Sequence, residues 1–105
     1  NNVSNTLALL EVMQSNKCLN LIFSSSASVY KPISFRMLKE NDPLEPTTPY
    51  GKTKLCIEEI LKDLYSSNKN WRIVNLRYFN PVGSHSSGLI LENPKETPRI
   101  FSLQF

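Results

Sequence analysis

At 105 residues the chain can hold one modest core and no more. Its 40% hydrophobic and 20% charged residues describe an ordinary globular sequence, and a net charge of +3 from dispersed lysines makes no demand for nucleic acid or a membrane surface. No apolar run approaches the roughly 20 residues of a spanning helix and no signal-peptide pattern opens the chain, so the cytoplasm is the expected compartment.

From Val3 to about Ser15, the apolar residues Val3, Leu7, Leu10 and Met13 recur at helical intervals, with Asn1, Asn2 and Ser4 offering capping side chains. This predicts a helix with one buried face. The first residue is Asn1 rather than Met and leads straight into that pattern, so the sequence reads as a piece of a longer protein.

Cys18 to Ser24 is a nearly continuous apolar run, expected as a strand buried on both faces of a parallel sheet. It ends in the hydroxyl cluster Ser24, Ser25, Ser26 and Ser28. Such a cluster is usually just a polar exit; a second reading, in an open α/β sheet, is a ligand-binding edge beyond the strand. Cys18 and Cys56 have no metal-ligand spacing and are expected to be small buried thiols. From Ala27 to Pro49 runs a long segment with Pro32, Pro43, Pro46 and, at its end, Pro49, and with the acidic stretch Glu40-Asn41-Asp42, the kind of loop that forms site walls or lids.

Thr48 can cap the helix that Pro49 begins. Within it Tyr50, Lys54, Ile57, Leu61 and Leu64 step by four and three residues, the stripe that a helix turns toward a core. Tyr50 and Lys54 therefore share one face, a turn apart, and Lys54 is a cation on the inward side. A buried charge needs a partner or a task. An ammonium within about 4–6 Å of a phenol favours phenolate, which fits a tyrosine for acid and base work. Alone, the same spacing is met by a lysine stem lying along apolar surface with its ammonium in water. Asn68-Lys69-Asn70 closes the helix, and Trp71 to Tyr78 reads as a second strand. Strand, crossover helix, strand is a βαβ unit, so the strands should be parallel, placing Ser26, Asn80 and the start of the Tyr50 helix at one sheet edge. Phe79-Asn80-Pro81 also reads as a plain strand end, and His85, the only histidine, as a solvated loop residue.

Three stretches together carry a resemblance: Leu21-Ile22-Phe23-Ser24-Ser25-Ser26-Ala27-Ser28-Val29-Tyr30, then Pro49-Tyr50-Gly51-Lys52-Thr53-Lys54, then Leu76-Arg77-Tyr78-Phe79-Asn80-Pro81-Val82-Gly83. The chain resembles the extended short-chain dehydrogenase/reductase family and, within it, the UDP-glucose (UDP-galactose) 4-epimerases, from Asn1 to about Gly88. The fold implied is part of a Rossmann-like parallel sheet, with residues 1–88 a partial NAD(P)-binding domain and residues 89–105 a divergent tail. The resemblance implies NAD as cofactor and a UDP-sugar as substrate. It makes Tyr50, Lys54 and Ser26 catalytic: Tyr50 takes the proton of the sugar 4-hydroxyl, Lys54 supports the phenolate and contacts the nicotinamide ribose, and Ser26 completes the relay. Asn1 and Phe79 would contact the cofactor and Asn80 the nucleotide-sugar. A homodimer is the assembly it allows for the full-length parent. Lys31 stands where the family commonly has glycine, so a different backbone path is expected there.

The pyrophosphate fingerprint needs a glycine-rich turn, and Gly51, Gly83 and Gly88 form none. In the family that loop lies upstream and most of the sugar-nucleotide domain downstream. The isolated chain is accordingly expected to have negligible NAD affinity and no turnover. Two other readings stand beside the epimerase: a related nucleotide-sugar enzyme such as a reductase or a 4,6-dehydratase, and a noncatalytic truncated relic. The dehydratase needs an Asp-Glu pair after the active-site hydroxyl, where this chain has Ala27-Ser28.

Overall fold

A computed structural model describes residues 2–33, 35–80 and 87. The chain runs α1 (Asn2–Ser15), β1 (Asn20–Ser26), a single 3₁₀ turn (Ala27–Val29), a long loop, α2 (Pro49–Ser67) and β2 (Arg72–Tyr78). The two strands pair in parallel, Asn20 opposite Arg72 through to Ser26 opposite Tyr78. Their carboxyl ends therefore finish together, as the βαβ reading required.

Both helices pack on one face of this sheet. Leu10 of α1, Ile57 and Leu61 of α2 and Trp71 form the buried centre, with Leu21, Phe23 and Ile73 of the strands packed against it. Each such side chain taken fully from water contributes about 1.5–3 kcal/mol before entropy is counted. Side chains alternate along a strand. The even-numbered residues Ile22, Val74 and Leu76 consequently face away from the helices, and Ile22 is 69% exposed. The expectation of a strand buried on both faces is corrected: among the described residues only one face is covered. The cysteine expectation is corrected too. Cys18 lies in the turn after α1 and Cys56 on the flank of α2, and both are free and exposed.

Element ends follow local chemistry. The backbone N–H of Cys18 bonds to the Met13 carbonyl and that of Lys17 to the Gln14 carbonyl, a Schellman closure with Lys17 in the left-handed region at φ 56°. Thr48 caps α2, its hydroxyl oxygen accepting the Gly51 N–H at 3.0 Å, with Pro49 in the first turn. At the far end the Asn68 N–H bonds to the Leu64 carbonyl at 3.0 Å, and the Asn68 side chain receives the Asn70 N–H.

The long loop is held down at several points. Tyr30 bridges antiparallel to Leu44, the Lys31 N–H donates to the Pro43 carbonyl, and the Lys31 ammonium pairs with Glu45 at 2.8 Å. Further out, Arg36 grips Asp42 with two hydrogen bonds of 2.8 and 2.7 Å, while Asp42 also accepts the Lys39 N–H. The Arg36 contact, the Lys39 N–H and the nearby charges hold the Asp42 carboxyl down at about 2. Lys31 has no positive φ, so the position costs an L-residue no backbone strain.

Candidate active site

The site is assembled where α2 begins and the strands end. Gly51 sits so tightly on the 3₁₀ turn that a Cβ built there would lie 2.4 Å from the Ser28 carbonyl oxygen. That contact brings the first turn of α2, and Tyr50 with it, to the carboxyl edge of β1. Tyr50 is about half exposed, its ring open to a ligand.

Lys54, one turn further, is half-buried. Its ammonium donates to the Ser24 carbonyl at 2.8 Å, 4.9 Å from the Phe23 ring centroid and 5.6 Å from that of Tyr50. The charge thus lies against two aromatic rings and a carbonyl at a solvent-accessible position, an arrangement in which a cation gains from a ring quadrupole. The stem of Lys54 lies on the sheet side of α2, and its ammonium sits at the solvent-accessible rim.

Ser26 closes β1 and caps the 3₁₀ turn. Its oxygen accepts the Ser28 N–H at 3.2 Å and the Ser28 hydroxyl at 3.0 Å. Among the described residues no hydrogen bond joins Ser26 to the Tyr50 hydroxyl, so the structure gathers Tyr50, Lys54 and Ser26 at one edge without closing a direct link. Phe79 and Asn80 follow the end of β2 at the same edge, both exposed. Asn1 and His85 lie outside the described residues. Between the loop and β2 is a cleft of about 550 Å³, walled by Tyr30, Leu38, Glu40, Arg77 and Phe79 among others. That volume falls in the range of small-molecule sites.

One constellation went unread in the sequence. Glu58, 6% exposed, accepts two hydrogen bonds from Arg77, Nε to Oε1 at 3.0 Å and Nη2 to Oε2 at 2.7 Å, and a third from the Ser25 hydroxyl. Arg77 Nη1 reaches on to the Tyr30 hydroxyl at 2.9 Å and the Glu40 carbonyl at 3.0 Å. The signal was available: Glu58 follows Ile57 on the inward stripe four residues after Lys54, and Arg77 shares the parity of Ile73. Two opposite charges assigned to buried faces imply a pair.

Burial pushes the Glu58 carboxyl up, but the hydrogen bonds from Arg77 and Ser25 and the guanidinium charge together pull it below its ordinary 4.5. A carboxyl lowered by folding contributes stability that is fully present above its unfolded value and is lost as pH falls through the folded one. Urea unfolding from about pH 6 to about pH 3 is expected to show stability declining below about pH 4.5, with a flatter profile in Glu58→Gln. An equal decline in that variant would assign the acid sensitivity to other groups.

A parallel βαβ unit with a tyrosine and a lysine one turn apart beside a serine-ended strand places the chain in the Rossmann-like α/β class. The chain belongs to the NAD dependent epimerase/dehydratase family, whose model matches residues 1–101. It is 50% identical over 98 residues to UDP-glucose 4-epimerase 2 of Oryza sativa subsp. japonica, covering 93% of this chain and 24% of that protein. Among solved structures it is similar to UDP-glucose 4-epimerase from Bifidobacterium longum in complex with NAD+ and UDP, with a TM-score of 0.81 and 48% identity over 89% of this chain and 28% of that one. It is also similar to UDP-glucose-4-epimerase from Stenotrophomonas maltophila with bound NAD and formylated UDP-arabinopyranose, with a TM-score of 0.80, 45% identity and the same coverage of 89% and 28%. The chain thus spans about a quarter of the length of the relatives it matches.

The donor set fits the ribose and nicotinamide end of the family's cofactor. Among the described residues Lys54 commits one N–H, to Ser24, leaving two for ribose hydroxyls, and Phe79 offers an uncovered ring at the same edge.

Proposed function

We propose that, within its full-length protein, this segment carries the proton-transfer groups of a UDP-glucose 4-epimerase that interconverts UDP-galactose and UDP-glucose. The observation that supports it best is the Lys54 ammonium held between the Tyr50 ring and the Ser24 carbonyl. Tyr50 takes the proton from the sugar 4-hydroxyl and later returns it. Lys54 places a positive charge beside the ring whose phenol becomes negative, and bound substrate and cofactor would exclude water there and strengthen that interaction. Ser26 passes hydrogen bonding between the sugar oxygen and Tyr50. NAD, when bound, supplies the acceptor and donor of hydride at the sugar carbon. Lys54, Phe79 and Asn1 are the residues of this chain that would hold it, and Asn80 is the one toward the nucleotide-sugar. Galactose metabolism in the cytoplasm is the setting such an interconversion serves.

The test is product analysis of the full-length protein with UDP-galactose and NAD. UDP-glucose as the product, with no net consumption of NAD, is expected. Loss of water from the sugar, or net reduction of the cofactor, would replace the epimerase with a dehydratase or an oxidoreductase.

A further inference from the structure

Helix α2 touches β1 through two consecutive turns and two consecutive serines. Lys54 donates to the Ser24 carbonyl, and Glu58, four residues on, accepts the Ser25 hydroxyl. The next residue is Ser26. Opposite them Arg77 holds Glu58 from β2 with a two-pronged grip and, with its remaining nitrogen, ties in Tyr30 and the Glu40 carbonyl of the loop. One carboxylate and one guanidinium thereby connect both strands, the helix and the loop within a turn of Lys54.

We propose that Glu58 and Arg77 are positioning residues that fix where Lys54 and Ser26 stand relative to Tyr50. The inference rests on the site reading above and extends it to residues that reach no substrate. Stability alone is a poor reason for such a pair, because a well-packed apolar replacement of a buried ion pair is often neutral or better. Geometry is what the pair supplies. A planar guanidinium with five donors can serve Glu58, Tyr30 and Glu40 together, which a lysine ammonium on a flexible stem cannot.

The test is Arg77→Lys in the full-length protein, with Glu58→Gln as a second variant should the first fold poorly and Tyr50→Phe in parallel. The expected result for Arg77→Lys is a kcat, counted per NAD-loaded molecule, about 10- to 100-fold lower, the scale of a misplacement of about 1 Å, with KM for UDP-galactose changed less than about threefold. Amide hydrogen exchange, measured without substrate, is expected to quicken selectively over residues 24–26 while residues 57–61 keep their protection. A kcat within about twofold of the parent, or exchange that quickens uniformly over both stretches, overturns the positioning role. An inactive Tyr50→Phe beside an unimpaired Arg77→Lys overturns it while leaving the site reading standing. A Tyr50→Phe that keeps its turnover overturns both.

Discussion

Tyr50→Phe in the full-length protein is expected to lower kcat for UDP-galactose by about 10²–10⁴-fold, the usual share of a positioned acid and base, while NAD still binds. The change removes one oxygen and leaves the ring that Lys54 faces at 5.6 Å. Tyr50 is half exposed and its hydroxyl holds no described partner, so the fold loses almost nothing and the effect falls on chemistry. Initial rates together with the NAD content of the purified variant check this. Full turnover would remove Tyr50 from the mechanism.

Gly51→Ala should act on fold and rate at once. Alanine favours a helix interior by about 1 kcal/mol over glycine, so propensity alone argues for stabilisation. Against it, the new Cβ would stand 2.4 Å from the Ser28 carbonyl oxygen and 2.9 Å from Pro46 Cβ, and neither neighbour is the free end of a flexible side chain. Overpacking of this kind costs about 1–3 kcal/mol, so the contact wins and net destabilisation is expected. Relief by sliding α2 away would carry Tyr50 from the sheet edge, and a shift of about 1 Å costs about 10²-fold in rate. Unfolding curves and kcat for the same variant check both halves. Unchanged or greater stability would mean that the start of α2 moves without cost.

Periodicity carries most of what is legible in the sequence. The stripe from Tyr50 to Leu64 places Ile57 and Leu61 in the core and Lys54 at its margin, and the parallel pairing follows from a strand, a helix and a strand in that order. The Thr48-Pro49 start of α2 is likewise visible, since capping chemistry is local. What escaped depends on contacts between distant residues. Cys56 adjoins buried Ile57, but one residue on a helix is a rotation of about 100°, which is enough to turn it to solvent. The Glu58 and Arg77 pair lies nineteen positions apart in sequence and needed stripe and strand parity to be read jointly. Whether Ser26 meets Tyr50 directly is beyond any spacing rule, because Ser28 competes for the same oxygen.

The lysine that closes α1 has one more implication. Lys17 holds a left-handed backbone, which costs an L-residue roughly 1–2 kcal/mol, at a position where helices closed this way usually carry glycine. The segment therefore carries an unspent margin: Lys17→Gly at this remote corner would relieve that strain and offset part of the cost of a mildly harmful change elsewhere.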